Sequence, residues 1–295
     1  MNTNKSIPIT PSTQEELQEG HRNFMRFLVE NPNNFSYWFP YVAAVEKHGI
    51  AIPKSVVIPI PEEVCMSFLL EKEGDSERID RWVTESVMPV VDKDFAGKKI
   101  FIKNGCFSGK FRFSSCCLVE DATNTKELSK NIKRIQYDSF CFETGGNMEL
   151  VLREYIEPEP DTPTIYWGMP LRPELRVFYD FDNHKYLYAE NYWSWEECHD
   201  GIARNPEDGE IYEQYFPELK KKLFHRVLAH LPAIIAALGS VDTLKMPDGL
   251  PNIWSVDFLL EDDKAWLIDM AQGWRSAYWD PARAGMNVKP NASRV

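Results

Sequence analysis

The chain contains no run of 18 apolar residues, and Met1–Thr10 carries no secretory pattern. A transmembrane helix and a cleaved leader are thereby removed from the readings, and a soluble cytoplasmic protein with no membrane partner is expected. Basic residues are scarce: 33 Lys and Arg stand against 45 Asp and Glu, for a formal net charge of −12. Nucleic-acid affinity rests on phosphate neutralisation by Lys and Arg, so this balance disfavours a nucleic-acid partner while permitting a local basic pocket. No CxxC spacing occurs among Cys65, Cys106, Cys116, Cys117, Cys141 and Cys198, and Cys198-His199 is the only close Cys–His pair. That excludes a zinc framework and leaves the thiols as small buried hydrophobes. No Ser–His or Cys–His arrangement suggests a side-chain nucleophile, and no internal repeat stands out. With 295 residues and 43% hydrophobic content, one large domain or two to three small ones are possible.

What is present centres on Ile253 to Trp274. Two short apolar runs, Trp254–Leu260 and Ala265–Met270, flank the acidic turn Glu261–Lys264. Runs of this length bounded by a polar turn read as the strands of a buried hairpin. Each run holds one carboxylate, Asp257 and Asp269. A charge in a buried strand is costly unless paired or bound to a cation. Two readings stay open here: a Mg²⁺ site built from oxygen ligands, or structural charges, one capping a turn and the other paired with an arginine.

Before the hairpin, Thr13–Asn31, Tyr37–His48, Val64–Leu70 and Ser76–Met88 have helical spacing, with Gly49 as a C-cap, and Ile50–Ile60 reads as a strand. Lys99–Asn104 is a short strand followed by Gly105-Cys-Phe-Ser-Gly-Lys110. This is not a P-loop: the glycines are one residue too close, Phe111 replaces the Ser or Thr, and no helical pattern follows. It reads as a glycine-bearing hairpin tip whose backbone N–H groups suit phosphates, or as an ordinary hairpin with surface lysines. Asn124–Gln136 looks helical, and Glu149–Ile156 is a strand broken by the Pro-rich hinge Glu157–Asp161. Glu174–Asp180 and Lys185–Asn191 form a hairpin, with Arg176 sharing a face with Glu174 and Phe178. Glu218–Ala237 is a helix with Leu219, Leu223, Leu228 and Ile234 on its apolar stripe, and Gly273–Val295 is expected to pack loosely over the site.

A lysine strand with a glycine loop, a strand ending at a charged hinge, an arginine strand and a twin-carboxylate hairpin occur in that order. The order resembles the ATP-grasp superfamily over roughly Lys99 to Gln272. Phe35-Ser-Tyr-Trp-Phe-Pro40 followed by Ile52-Pro-Lys-Ser resembles small bacterial and phage ATP-grasp proteins, and distantly the eukaryotic cell-division-cycle ATP-grasp family. The resemblance implies an α+β ATP-grasp fold in which two lobes with antiparallel sheets enclose a nucleotide. The divisions it suggests are an N-terminal α/β region (1–95), a small lobe (96–160) and a large lobe with the metal hairpin (161–295). It implies ATP and Mg²⁺ as cofactors. Lys103 matches the phosphate lysine, and Ser108, Gly109 and Lys110 match the flexible loop over the terminal phosphate. Glu154 and the backbone of Tyr155 and Ile156 would read adenine, and Glu157 the ribose. Arg176, with Lys110, would stabilise the transferring phosphoryl group, and Asp257, Asp269 and Gln272 would hold the metal. The family pattern after the second carboxylate is acidic–x–Asn, whereas Met270 and Ala271 follow Asp269 here. Gln272 is the nearest amide, and on a straight strand it faces the other way. The implied activity is an ATP-dependent carboxylate–amine ligase acting through an acyl phosphate on unidentified carboxylate and amine substrates. The alternative is an ATP-binding assembly factor that docks a protein partner, with the aromatic tail (Trp274, Tyr278, Trp279) as a docking surface or as core.

Overall fold

The computed structural model describes residues 13–70, 72–141, 147–242, 244, 246 and 250–285; the polar stretch Met1–Ser12 and the end of the tail lie outside them. Thr13 caps helix α1 (Gln14–Glu30) through a reciprocal pair of hydrogen bonds with Glu16. The next expected helix is divided into α2 (Phe35–Val42) and a 3₁₀ turn, Ala43–His48, closed by Gly49 at φ +79°. Pro40 lies inside α2 and removes one intrahelical donor. Strand β1 (Ser55–Pro59), α3 (Glu62–Leu70), α4 (Asp75–Trp82), a π-helical turn (Val83–Val87) and α5 (Met88–Asp94) follow. Then come β2 (Ile100–Asn104), a 3₁₀ turn (Lys110–Arg112), α6 (Phe113–Cys116), β3 (Leu118–Val119), α7 (Thr125–Cys141) and β4 (Glu149–Glu154).

The four strands form an antiparallel sheet in the order β1-β4-β2-β3. The N-terminal stretch thus contributes β1 to the same sheet as the lysine strand, with Ser55 opposite Arg153 and Pro59 opposite Glu149. Period-two alternation decides the two faces. Ile100, Ile102, Leu150 and Leu152 enter a core with Val83, Val87, Leu128 and Ile132 from the helices. Phe101, Lys103 and Arg153 take the opposite face.

The second half of the chain contains a two-stranded ribbon, β5 (Thr164–Ile165) and β6 (Met169–Pro170), then β7 (Glu174–Asp180), β8 (Lys185–Asn191), α8 (Trp195–Ile202), α9 (Pro206–Gly239), β9 (Ile253–Leu260) and β10 (Ala265–Gln272). Its sheet is antiparallel in the order β10-β9-β7-β8. Helix α9 begins a full three turns before the expected start, at an Asn205 cap that accepts from the Glu207 N–H at 3.2 Å. By length and composition alone it could cross a membrane, yet Leu219, Ile234, Ala237 and Leu238 are buried in the protein core. Leu228, expected in that stripe, is 64% exposed. Val177, Val256, Phe258 and Leu260 pack beneath with α2 and α9, while Arg176, Asp257 and Leu259 occupy the other face. The architecture is the expected α+β one: two antiparallel sheets, each backed by helices, meet across a cleft.

Candidate functional site

The cleft face of the large-lobe sheet carries a row of charges set by strand register. Glu190 on β8 lies opposite Arg176 on β7, Arg176 opposite Asp257 on β9, and Asp257 opposite Asp269 on β10. Like charges directly across a strand pair repel, and two cations compensate here. Arg176 donates from Nε and Nη2 to the two Asp257 oxygens, both at 2.7 Å. Burial works against the guanidinium's charge, but Asp257 outweighs it and holds the Arg176 pKa above its ordinary value. Asp269 accepts from Lys103 Nζ at 2.8 Å. That ammonium comes from the opposite sheet and is only 2% exposed. The structural-charge reading of Asp257 as an arginine partner is therefore part of the picture, although the arginine is neither a turn nor a hairpin neighbour.

A cavity of about 200 Å³ lies between the sheets. It is bounded by Lys103, Ser108, Lys110, Glu154, Tyr155, Ile156, Arg176, Asp257 and Asp269, nine of the residues singled out in the sequence. Lys110 donates to the Tyr192 hydroxyl, and its Nζ lies 3.7 Å from the Tyr192 ring centroid and 5.3 Å from that of Trp193. Burial disfavours the ammonium, but Tyr192 and Glu174 more than offset it, leaving the Lys110 pKa raised. The Ile156 carbonyl, expected to face adenine, accepts from Arg172 Nη1 at 2.6 Å. Glu154 is half-buried at the hinge, with its Oε2 3.4 Å from the Lys54 N–H.

Three expected residues lie elsewhere. Glu157 is exposed and 3.5 Å from Lys99, outside the cavity. Gly109 is buried behind the loop at φ +62°, where an added Cβ would meet Cys116 Sγ at 2.4 Å. The loop is not a hairpin tip: the Asn104 side chain folds it back by accepting from the N–H groups of Cys106 (2.9 Å) and Phe107 (2.6 Å), and a 3₁₀ turn and α6 follow. Gln272 is 3% exposed on the opposite face of β10 from Asp269, where its Oε1 accepts from Asn33 at 3.3 Å and its N–H donates to Asn33 Oδ1 at 2.7 Å. The 3₁₀ turn that follows begins only at Gly273, too late to rotate Gln272 into the cleft. The aromatic tail is half-buried rather than part of a core: Trp274, Tyr278 and Trp279 are all of intermediate exposure, with Trp279 5.7 Å from Phe178 and Tyr278 donating to the Tyr192 carbonyl at 2.6 Å.

Four further residues, Arg153, Arg172, Glu174 and Tyr192, also line the cavity. Arg153 was visible as a lone cation in an apolar strand. It donates to the Ile268 carbonyl across the cleft and to Ser55 Oγ at 3.0 Å, while its buried Nη2 has no partner among the described residues. Burial, partly opposed by Asp269, pulls its pKa down to about 10. Arg172 joins Ile156 to Glu261. Burial pushes the Glu174 carboxyl above its ordinary range, with Lys110 opposing and Asp257 adding to the shift. Tyr192 left no signal in the sequence.

Among the described residues no group of three or more His, Cys, Asp or Glu side chains could hold a metal ion. Asp257 and Asp269 alone suit Mg²⁺ that arrives with phosphate oxygens, since that ion takes one or two carboxylates in nucleotide sites. They do not form a closed cage for a resident metal.

No protein-family model matches the chain, and no curated protein matches it. Among solved structures, the chain is similar to Cdc123 from Schizosaccharomyces pombe at 16% identity, with a TM-score of 0.43 over 88% of this chain and 92% of that one. It is similar to a RimK domain ATP-grasp protein from Sphaerobacter thermophilus at 11% identity and a TM-score of 0.35, covering 84% and 59%. D-alanine–D-alanine ligase from Bacillus anthracis, complexed with ATP, matches at 12% identity and a TM-score of 0.30, covering 81% and 54%. The known structures this chain resembles thus include Cdc123 and ATP-grasp ligases, all at distant identity.

Proposed function

We propose that the cleft binds Mg-ATP and that the protein is an ATP-dependent carboxylate–amine ligase. The observation that carries this reading is the convergence of Lys103, Lys110, Arg153 and Arg176 with Asp257 and Asp269 on one cavity between two sheets. Four cations and two carboxylates suit a triphosphate and its metal, and the unpartnered Nη2 of Arg153 is a donor awaiting an acceptor. Phe101, Met169, Leu259 and Ile268 line the same cavity as apolar surface for a base. In the ligase, the substrate carboxylate attacks the γ-phosphorus and ADP leaves. An amine then attacks the acyl phosphate, displaces inorganic phosphate and loses a proton. Mg²⁺ would neutralise phosphate charge between Asp257 and Asp269. Lys103 and Lys110 position the phosphates, and Arg176 faces the charge that develops on the transferring group.

The cavity is small, at about 200 Å³, against roughly 300–1,000 Å³ for ligand sites. Its cations already hold partners that the nucleotide must replace: Lys103 exchanges Asp269 for phosphate, and Asp269 exchanges Lys103 for metal.

One observation favours a second reading, an ATP-binding assembly factor with little ligase activity. Gln272 is committed to Asn33 on the far face of β10, so the amide ligand implied by the resemblance has no counterpart in the cleft. Calorimetric titration of ATP with Mg²⁺ tests nucleotide binding: absence of binding in the wild type overturns both readings. Release of ADP and phosphate that depends on adding a carboxylate and an amine supports the ligase. Binding without such turnover supports the assembly factor.

A further inference from the structure

A second depression, of about 730 Å³, lies on the helical side of the small lobe, and the nucleotide reading makes no use of it. One side is a single face of α7. Lys126, Lys130, Lys133, Arg134 and Tyr137 fall at i, i+4, i+7, i+8 and i+11, the spacing of one helical stripe. At that spacing a stripe facing a core is apolar, and the opposite face of α7 obeys the rule with Leu128, Ile132 and Ile135 fully buried. The outward stripe is instead cationic. Facing it are Asp80 of α4 and Thr84 of the π-helical turn, a local irregularity that in helices is frequent at functional sites.

The charges are not balanced locally. Lys133 is satisfied, donating to Asp80 at 2.7 Å and to Ser76 Oγ at 2.8 Å. Lys126, Lys130 and Arg134 are exposed, and Lys133 alone of the four cations has an ion-pair partner among the described residues. Like charges four residues apart, as in Lys126/Lys130 and Lys130/Arg134, weaken a helix. The groove therefore concentrates unneutralised positive charge on a chain whose net charge is −12.

We propose that this groove docks an acidic peptide segment of a partner protein, read by Lys126, Lys130 and Arg134. Complementary charge recruits and orients such a segment. The stripe from Lys126 to Tyr137 rises about 16 Å at 1.5 Å per residue, the length of a short peptide. Tyr137, 47% exposed at one end, supplies aromatic contact area. A broad polyanion, whether duplex nucleic acid or an anionic bilayer, would extend past the groove over a chain whose net charge is −12. A narrow acidic segment can follow Lys126, Lys130 and Arg134, while Asp80 is already paired with Lys133.

The test is fluorescence anisotropy of a labelled Asp/Glu-rich peptide carrying one Trp, titrated with the full chain. Saturable binding is expected, weakening as salt rises from about 50 to 200 mM. It should fall by at least about tenfold in the Lys126→Glu/Lys130→Glu/Arg134→Glu variant, with circular dichroism and Mg-ATP titration unchanged. The milder Lys126→Gln/Lys130→Gln variant should weaken binding in the same direction, so a folding failure of the triple variant leaves a readout. A benzophenone on the peptide should cross-link to α7. Absent binding, binding indifferent to these substitutions, or tighter binding of a single-stranded oligonucleotide or of phosphatidylserine vesicles overturns the proposal.

Discussion

Lys103 and Asp269 stand on different sheets, 166 positions apart in the chain, and the ammonium of one donates to the carboxylate of the other at 2.8 Å. This part-buried ion pair and the Arg153 bond to the Ile268 carbonyl cross between the two sheets inside the cleft. A ligand that needs the lysine must compete with the aspartate.

That competition has a sign. Asp269→Asn removes the rival for Lys103, so binding of metal-free ATP is expected to strengthen while the gain on adding Mg²⁺ shrinks. Lys103→Ala should weaken Mg-ATP binding by about tenfold or more, as loss of a charge-assisted bond does. Calorimetry with EDTA and with Mg²⁺ separates the two effects; an Asp269→Asn protein as metal-dependent as the wild type would refute the exchange.

Arg176 and Asp257 form a bidentate pair whose side chains are 11% and 8% exposed. Breaking such a pair from one side leaves a buried charge and costs about 3–5 kcal/mol. Asp257→Leu and Arg176→Met should each lower stability in urea by that order, and the double variant by clearly less than their sum. Additive losses would mean that the two groups do not depend on each other.

Gly109 has φ +62°, and a Cβ there would meet Cys116 Sγ at 2.4 Å. Gly109→Ala is expected to cost about 1 kcal/mol or more from the backbone alone, with added loss from the contact. Adding Cys116→Ala should restore part of the loss, leaving the strain in φ. Thermal unfolding of the three variants measures the split.

Burial raises the folded-state pKa of Glu174, against the opposition of Lys110. A carboxyl whose folded pKa lies above its unfolded value contributes stability that is present below the unfolded pKa and lost as pH rises through the folded one. On the proposed reading, phosphates brought near Glu174 would raise its pKa further, so Mg-ATP binding just above that window should take up a fraction of a proton. Titrations in buffers of different ionisation enthalpy read this uptake, which Glu174→Gln should abolish.

Local pattern made much of this molecule legible. The β7–β8 and β9–β10 hairpins fall where short apolar runs meet polar turns, and a lone charge within each run marked Asp257 and Asp269. The parity that set Gln272 against Asp269 also held. Pairing across the cleft was not legible. Nothing near Lys103 in the chain specifies Asp269, and Glu157 reads as a hinge carboxylate until the fold brings Lys99 beside it. The loop at Gly105 lacked helical periodicity because its helical turns are too short to show one. Tyr192 became a site residue only when the end of β8 came against Lys110.

The pairing of β1 with β4 has a consequence for synthesis. Strand β1 leaves the ribosome long before Glu149–Glu154 exist, and its backbone donors and acceptors along that edge have no partner until they emerge. Closing the sheet then requires a long loop to be shut, an entropic penalty that falls on the slow, non-local part of folding. Until that moment the lysine strand β2 has only the two residues of β3 beside it. The cleft is thus among the last features around this sheet to form, and a nascent chain stalled before β4 would leave the facing edges of β1 and β2 open to its neighbours.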